Sequence, residues 1–367
     1  MTRQADFKRR VRARMARTGE SYAVARQRLL GGQGAPAEEW MAQALHISNG
    51  DSTDLAGTGL ARRVVYWRDV LHEGPVPAVG PAELRQVRAA FLAGAGAAER
   101  AEGLRMFVER DAAVEANRDG EYVLWFEADL YDQLQIVEVL ARLAGLGVPA
   151  ERVTLICIGE HPGIARFGGL GQLRAEQLRE LPATRACARL TPAALELATR
   201  AWAAFRAPTP RGLPAVAAAR SGELRFVGEA FERLCREYPS TRDGLSLTER
   251  RVLAAVAAAG SEEEAGAGEV FVRASAREAR PFLGDTWCFS VMERLARAEC
   301  PLLEVRPADG RVGRGTVLRL TGAGARVLAG QEDHVRLNGV DRWIGGVRLS
   351  GRDVRWRWDE GREALTV

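Results

Sequence analysis

At 367 residues, with 47% hydrophobic and 27% charged side chains, the chain has an ordinary soluble composition and room for two or three domains. No run of about 18 apolar residues is present, which excludes a membrane-spanning helix, and the basic N-terminal stretch leads into neither an apolar segment nor a small-residue cleavage site, so a cytoplasmic protein is expected. The net charge of +4 is unevenly placed: residues 1–30 hold nine Lys or Arg against two acids, leaving 43 basic against 46 acidic residues in the body.

In chain order, residues 7–30 read as one or two short amphipathic helices with arginines on the outer face. Together with a Gly-rich linker they make a basic arm over residues 1–35. It is read as docking on the protein's own body in preference to contacting nucleic acid. The main domain, residues 41–170, opens with a strand over 44–48 and the turn Asn49-Gly50-Asp51-Ser52. A second strand over 63–67 runs into Arg68-Asp69-Val70-Leu71-His72-Glu73. Helices over 83–93 and 103–116 follow, with Leu84, Val87, Phe91, Leu104, Phe107 and Val108 facing inward. Residues 122–126 are an unbroken run of large strand-forming residues, apolar on alternate positions too, which predicts a central strand buried on both faces. Glu127, Asp129, Asp132 and Gln133 crowd the point where this strand gives way to a helix, with Asp129 suited to cap it. A fourth strand over 152–158 ends in Gly159-Glu160-His161-Pro162.

Strands separated by helices predict an α/β fold with a mostly parallel, Rossmann-like sheet, whose strand ends share one rim. Ligands bind at such rims. The candidate site residues therefore fall into two groups. Asp51, Asp69, His72 and Asp129 are the candidate acids, bases or catalytic groups. Asn49, Gly50, Ser52, Arg68, Glu127, Asp132 and Gln133 are the candidate ligand contacts. His72 is the preferred proton carrier, because Asp69 and Glu73 beside it would orient it and raise its pKa. His46, inside a strand, reads as a core histidine.

The segments His46-Ile47-Ser48-Asn49-Gly50-Asp51-Ser52, Trp67-Arg68-Asp69 with Glu73-Gly74-Pro75, and Leu124-Trp125-Phe126-Glu127-Ala128-Asp129-Leu130-Tyr131-Asp132-Gln133-Leu134 resemble the bacterial family called domain of unknown function 1835 (DUF1835), over roughly residues 44–165. The family has no assigned activity. The resemblance implies a fold and a recurrent set of residues but no reaction.

Several chemistries are excluded. Lys8 is the only lysine and lies in the arm, so the body offers neither a phosphate-loop lysine nor a Schiff base, and pyridoxal phosphate is not expected. Five cysteines, odd in number and never spaced Cys-x-x-Cys, argue against disulfides and structural zinc. Ser52 lacks a nucleophile elbow. The run Gly168-Gly169-Leu170-Gly171 follows the fourth strand and does not fit the dinucleotide fingerprint. The carboxylates of Asp51, Asp69, Glu127 and Asp129 leave a hard cation such as Mg2+ open as a cofactor, without a diagnostic spacing.

Beyond residue 171 the sheet is expected to end. Residues 171–245 read as a helical segment, with helices over 172–181, 192–205 and 222–238. Residues 246–367 read as a winged-helix-like region closed by a Trp-rich hairpin: helices over 247–258 and 286–298, strands over 301–305 and 316–320, and the period-two run Val354-Arg355-Trp356-Arg357-Trp358. The helix starting at Thr286 opens acidic and apolar, unlike a DNA-reading helix. Two functions fit. The first is a domain that binds a small anionic molecule, a nucleotide or phosphate ester, at the rim, either as an enzyme or as a receptor. The second is a regulatory protein whose winged region contacts DNA or a protein partner.

Overall fold

Residues 34–258 and 264–367, together with Arg9, Arg12, Ala13, Met15 and Ala16, are described by the computed structural model of the chain. The arm expected over residues 1–35 lies almost wholly outside these residues.

The sheet is built from Leu45–Ser48 (β1), Arg63–Tyr66 (β2), Tyr122–Glu127 (β3), Val153–Ile158 (β4) and Cys187–Arg189 (β5), in the order β2-β1-β3-β4-β5. The first four strands are parallel, as expected. β5 runs antiparallel to β4 and corrects the expectation that the sheet ends at residue 171. Its three residues are only partly buried or exposed, too short a run for periodicity to register.

Around the sheet lie helices Gly34–Gln43 (α1), Pro81–Gly94 (α2), Arg100–Ala116 (α3), Leu130–Gly145 (α4), Ala175–Glu180 (α5), Pro192–Arg206 (α6), Leu213–Ala217 (α7) and Val227–Cys235 (α8). β3 shows why its sequence lacks alternation. Tyr122, Leu124 and Phe126 point into the core shared with α4 and α6, while Val123 and Trp125 enter a separate core with Met41, Leu55, Leu170 and Leu178. Both faces are covered, each large side chain contributing roughly 1.5–3 kcal/mol. His46 is a satisfied core residue: its Nε2 faces the Met41 carbonyl at 2.8 Å and its Nδ1 accepts from Trp125 Nε1 at 2.9 Å. The helix expected over 222–238 is confined to α8, because the Ser221 hydroxyl holds Glu223 and Leu224 in a turn just before it.

A second core, which includes Leu253, Met292 and Leu318, joins Leu247–Ala257 (α9), Ala267–Ser275 (α10) and Asp285–Ala296 (α11) to a three-stranded antiparallel sheet of Ala265–Gly266 (β6), Leu303–Arg306 (β7) and Val317–Leu320 (β8). Only two of these strands were legible; β6 is two residues long. Gly322–Leu328 (α12) and His334–Asn338 (α13) lead to two hairpins, Val340–Ile344 (β9) with Val347–Gly351 (β10), and Arg357–Asp359 (β11) with Ala364–Thr366 (β12). Ile344, Val347, Leu349 and Trp358 from these hairpins join the core of the main sheet. The β9–β10 turn needs glycine. Gly345 has φ 58°, and a Cβ there would lie 2.1 Å from the Phe205 carbonyl at the end of α6. No described helix is long and apolar enough to cross a membrane.

Candidate functional site

β1 has β2 on one side and β3 on the other, so the chain leaves β1 in two directions, and the crevice between the carboxyl ends of β1 and β3 is the switch point where open α/β sheets bind ligands. Asn49 leaves β1 there, and Glu127 ends β3. Asp129 caps α4, its carboxylate accepting from the Asp132 backbone N–H at 3.1 Å, as its position predicts. Asp132 sits in the first helical turn, wholly buried, and accepts two hydrogen bonds from Asn49 Nδ2 at 2.8 and 3.0 Å. Glu127 accepts from the Leu170 backbone N–H at 2.6 Å, and Gln133 Nε2 donates to the Glu127 carbonyl at 2.6 Å. The Gly168-Gly169 run makes this closure fit. Gly169 has φ 145°, and a Cβ there would meet the Glu127 carboxylate at 2.5 Å.

Oxygens of Glu127, Asp129 and Asp132 lie within 4.8 Å of one another, the one such cluster of potential metal ligands among the described residues. Burial raises all three carboxyl pKa values, and their mutual repulsion raises those of Glu127 and Asp132 further. The Arg280 guanidinium acts against the rise at Asp129; it also bonds the Gly159 carbonyl at 3.3 Å and pairs with Glu229 at 2.9 Å. A cavity of about 300 Å³ opens on the trio, lined by Asn49, Tyr131, Gly168, Phe271 and Phe282 among others. Its far wall is the connector between α10 and α11, and Arg280 lines the adjoining recess beside Glu127 and Asp129.

The structure does not bring every candidate to this cavity. Asp51 and Arg68 pair at 2.7 Å on the surface, their side chains 71% and 45% exposed. Gly50 and Ser52 belong to the same outer turn, and nothing crowds a Cβ built on Gly50. Asp69 turns inward to Arg88, 2.7 Å away, with both side chains 2% exposed, and lines a different cavity. His72 is buried edge-on against Tyr131 and Phe282, 5.8 and 5.2 Å between centroids, with neither ring nitrogen hydrogen-bonded. Burial lowers its pKa to about 4, the reverse of the expected rise, because desolvation outweighs the pull of Glu73. It is neutral at pH 7.

The sequence missed Tyr131, Phe282 and Arg280. Tyr131 was readable as the neighbour of Asp132 in the turn; Phe282 and Arg280 come from a connector more than a hundred residues away and carry no local signal. The assembly is an α/β protein with an acidic, arginine-flanked rim cavity roofed by a second unit. No family model matches the chain, and comparison with curated proteins finds no match.

Proposed function

We propose that the chain binds a small anionic ligand of the nucleotide or phosphate-ester class at the switch point, through a hard divalent cation of the Mg2+ kind held by Glu127, Asp129 and Asp132. The carrying observation is the trio itself, three desolvated carboxyl groups within 4.8 Å. A bare anion entering this cavity would be repelled. A divalent cation offsets the carboxylates and takes phosphate oxygens at its remaining positions, the usual arrangement for Mg2+. Arg280 flanks the recess as the guanidinium for the ligand's remaining charge. Asp51, Asp69 and His72 have no part in this reading. It treats the sheet as Rossmann-like, in keeping with the DUF1835 resemblance, in a cytoplasmic protein.

The regulatory reading is favoured by one observation: the connector that walls the cavity joins α10 to α11 of the second unit, which we read as winged-helix-like. Its partner would be protein in preference to DNA, since Trp287 of α11 stacks on Phe91 of α2 at 5.8 Å and occupies the face a recognition helix needs.

Thermal unfolding of the full chain with Mg2+, Mn2+ or EDTA, with and without nucleoside diphosphates and simple phosphate esters, tests the proposal. A ligand at about 100 times its Kd adds roughly 2.7 kcal/mol. Stabilisation by phosphate esters that needs the divalent cation and is lost in Glu127→Gln is expected. Equal response with EDTA present overturns the cation role, and no response to any of these ligands overturns the ligand class.

A further inference from the structure

We propose that the chain carries a second ligand site, on the α4 face of the sheet away from the carboxylate trio, for a small molecule with a flat apolar body and a single anionic group such as an aromatic carboxylate. A cavity of about 510 Å³ lies between α2, α3, α4 and α6, within the range of small-molecule pockets, about 300–1,000 Å³. Leu84, Phe107, Ala141 and Trp202 give it apolar walls, and the indole of Trp202 supplies a flat surface.

The charges around it decide the ligand's sign. Four of its arginines are matched to carboxylates: Arg88 to Asp69 at 2.7 Å, Arg85 to Asp111 at 2.8 Å, Arg142 to Asp111 and Glu115 at 3.0 and 2.8 Å, and Arg110 to Asp111 at 3.2 Å. Arg206 is not. Among the described residues its guanidinium meets only the carbonyls of Pro77, at 2.9 and 2.7 Å, and Val79, while lying 5.2 Å from the Trp202 ring centroid. Half burial disfavours its charged form, and the Glu138 carboxylate, which forms no ion pair with it, offsets only part of that. Carbonyls orient a guanidinium without neutralising it, so the cavity presents one fixed, partly desolvated positive charge beside an aromatic wall. One anionic group on an apolar body complements both. A di- or triphosphate does not, because Asp69, Asp111, Glu115 and Glu138 surround the same space.

The probe is 8-anilinonaphthalene-1-sulfonate, a monoanion with a flat body, titrated by fluorescence into the full chain, with 2-naphthoate and uncharged 2-naphthylmethanol as competitors. Saturable binding is expected, displaced by naphthoate at least tenfold better than by the alcohol. Arg206→Met should weaken it at least tenfold. Ala203→Trp fills the cavity from an exposed position of α6, so it should abolish binding without a fold defect, which circular dichroism checks. Glu127→Gln, at the rim, should leave the affinity unchanged, so this site and the rim reading fail separately. Absence of saturable binding, affinities within twofold in both Arg206→Met and Ala203→Trp, or equal competition by acid and alcohol would overturn the site.

Discussion

Asp132→Asn separates a cation site from a structural cluster of acids. The substitution is nearly isosteric, and the Asn49 Oδ1, buried without a partner, is placed to accept from the new amide once the Asn49 amide turns over. What changes is charge. At 4.8 Å and an effective dielectric of 20, each pair of ionised carboxylates repels by about 3.5 kcal/mol. The apo protein avoids part of this by keeping protons on the trio, so the gain from removing one charge is capped at about 1–3 kcal/mol near pH 8. The sign follows from the shifts. A carboxyl whose folded pKa is raised stabilises the fold while protonated, and that stability is lost as pH climbs through the folded values, about 6 for Asp129 and about 8 for Glu127. Apo wild-type stability should therefore fall from pH 5 to pH 8.5, the fall should shrink in Asp132→Asn, and saturating Mg2+ should reduce it in the wild type alone. Urea unfolding at several pH values, with Mg2+ or EDTA, measures all three. A variant destabilised by more than about 2 kcal/mol at pH 8 that keeps its Mg2+ response would refute the reasoning, because Asp132 would then be a hydrogen-bonding strut and not a ligand.

Arg88→Ala should cost about 3–5 kcal/mol, since it leaves the Asp69 carboxylate buried and unpaired; denaturant midpoints check this, and a loss below about 1 kcal/mol would show that Asp69 finds water instead. His72→Phe should preserve the rim response and hold or raise stability, because it replaces an imidazole with two unpartnered nitrogens by a ring of similar shape between Tyr131 and Phe282. Loss of cation-dependent ligand binding in this variant, at unchanged stability, would return His72 to the site.

The parts of the site that were legible are local. Glu127, Asp129, Asp132 and Gln133 follow a strand whose burial on both faces shows in its composition, and a cap, a first-turn acid and a strand-end acid must lie close together wherever the chain goes next. Asn49 joined them through topology, since β1 pairs in parallel with β3 and the two strands end together. What failed was direction. Asp69 and His72 occupy a turn just as polar as the one after β3, but α2 offers Arg88 to Asp69 from below and Tyr131 and Phe282 take the His72 ring, so both side chains turn into the body. Sequence locates a loop without saying which side of it is wet. The connector that walls the cavity depends on contacts across more than a hundred residues, for which no periodicity or spacing is diagnostic, whereas the hairpins that return to the sheet's core were announced by the Gly345-Gly346 turn and the period-two run to Trp358.

The connector also gives the two functional readings a common physical basis. A ligand moves an equilibrium only through contacts that differ between its two states, and Phe282 belongs to two environments at once. It lines the rim cavity on one side, while on the other its ring meets His72 and lies 5.1 Å from the guanidinium of Arg233. Arg233 is in turn tied to Glu237 at 2.8 Å and to Glu278 at 2.7 Å, and Glu237 to Arg342 at 2.7 Å. Burial alone would raise the Glu237 pKa, yet Arg342 and Arg233 hold it down at about 2, so this network stays ionised across the working pH range. Buried ion pairs tolerate little misalignment, because displacing one partner strands the other charge. The segment next to the rim is therefore anchored to α8 through Glu278, and by way of Glu237 to β9, by bonds that hold one geometry. On the proposed function, enzyme and receptor would share this wall and differ only in whether the ligand that presses on it is changed before it leaves.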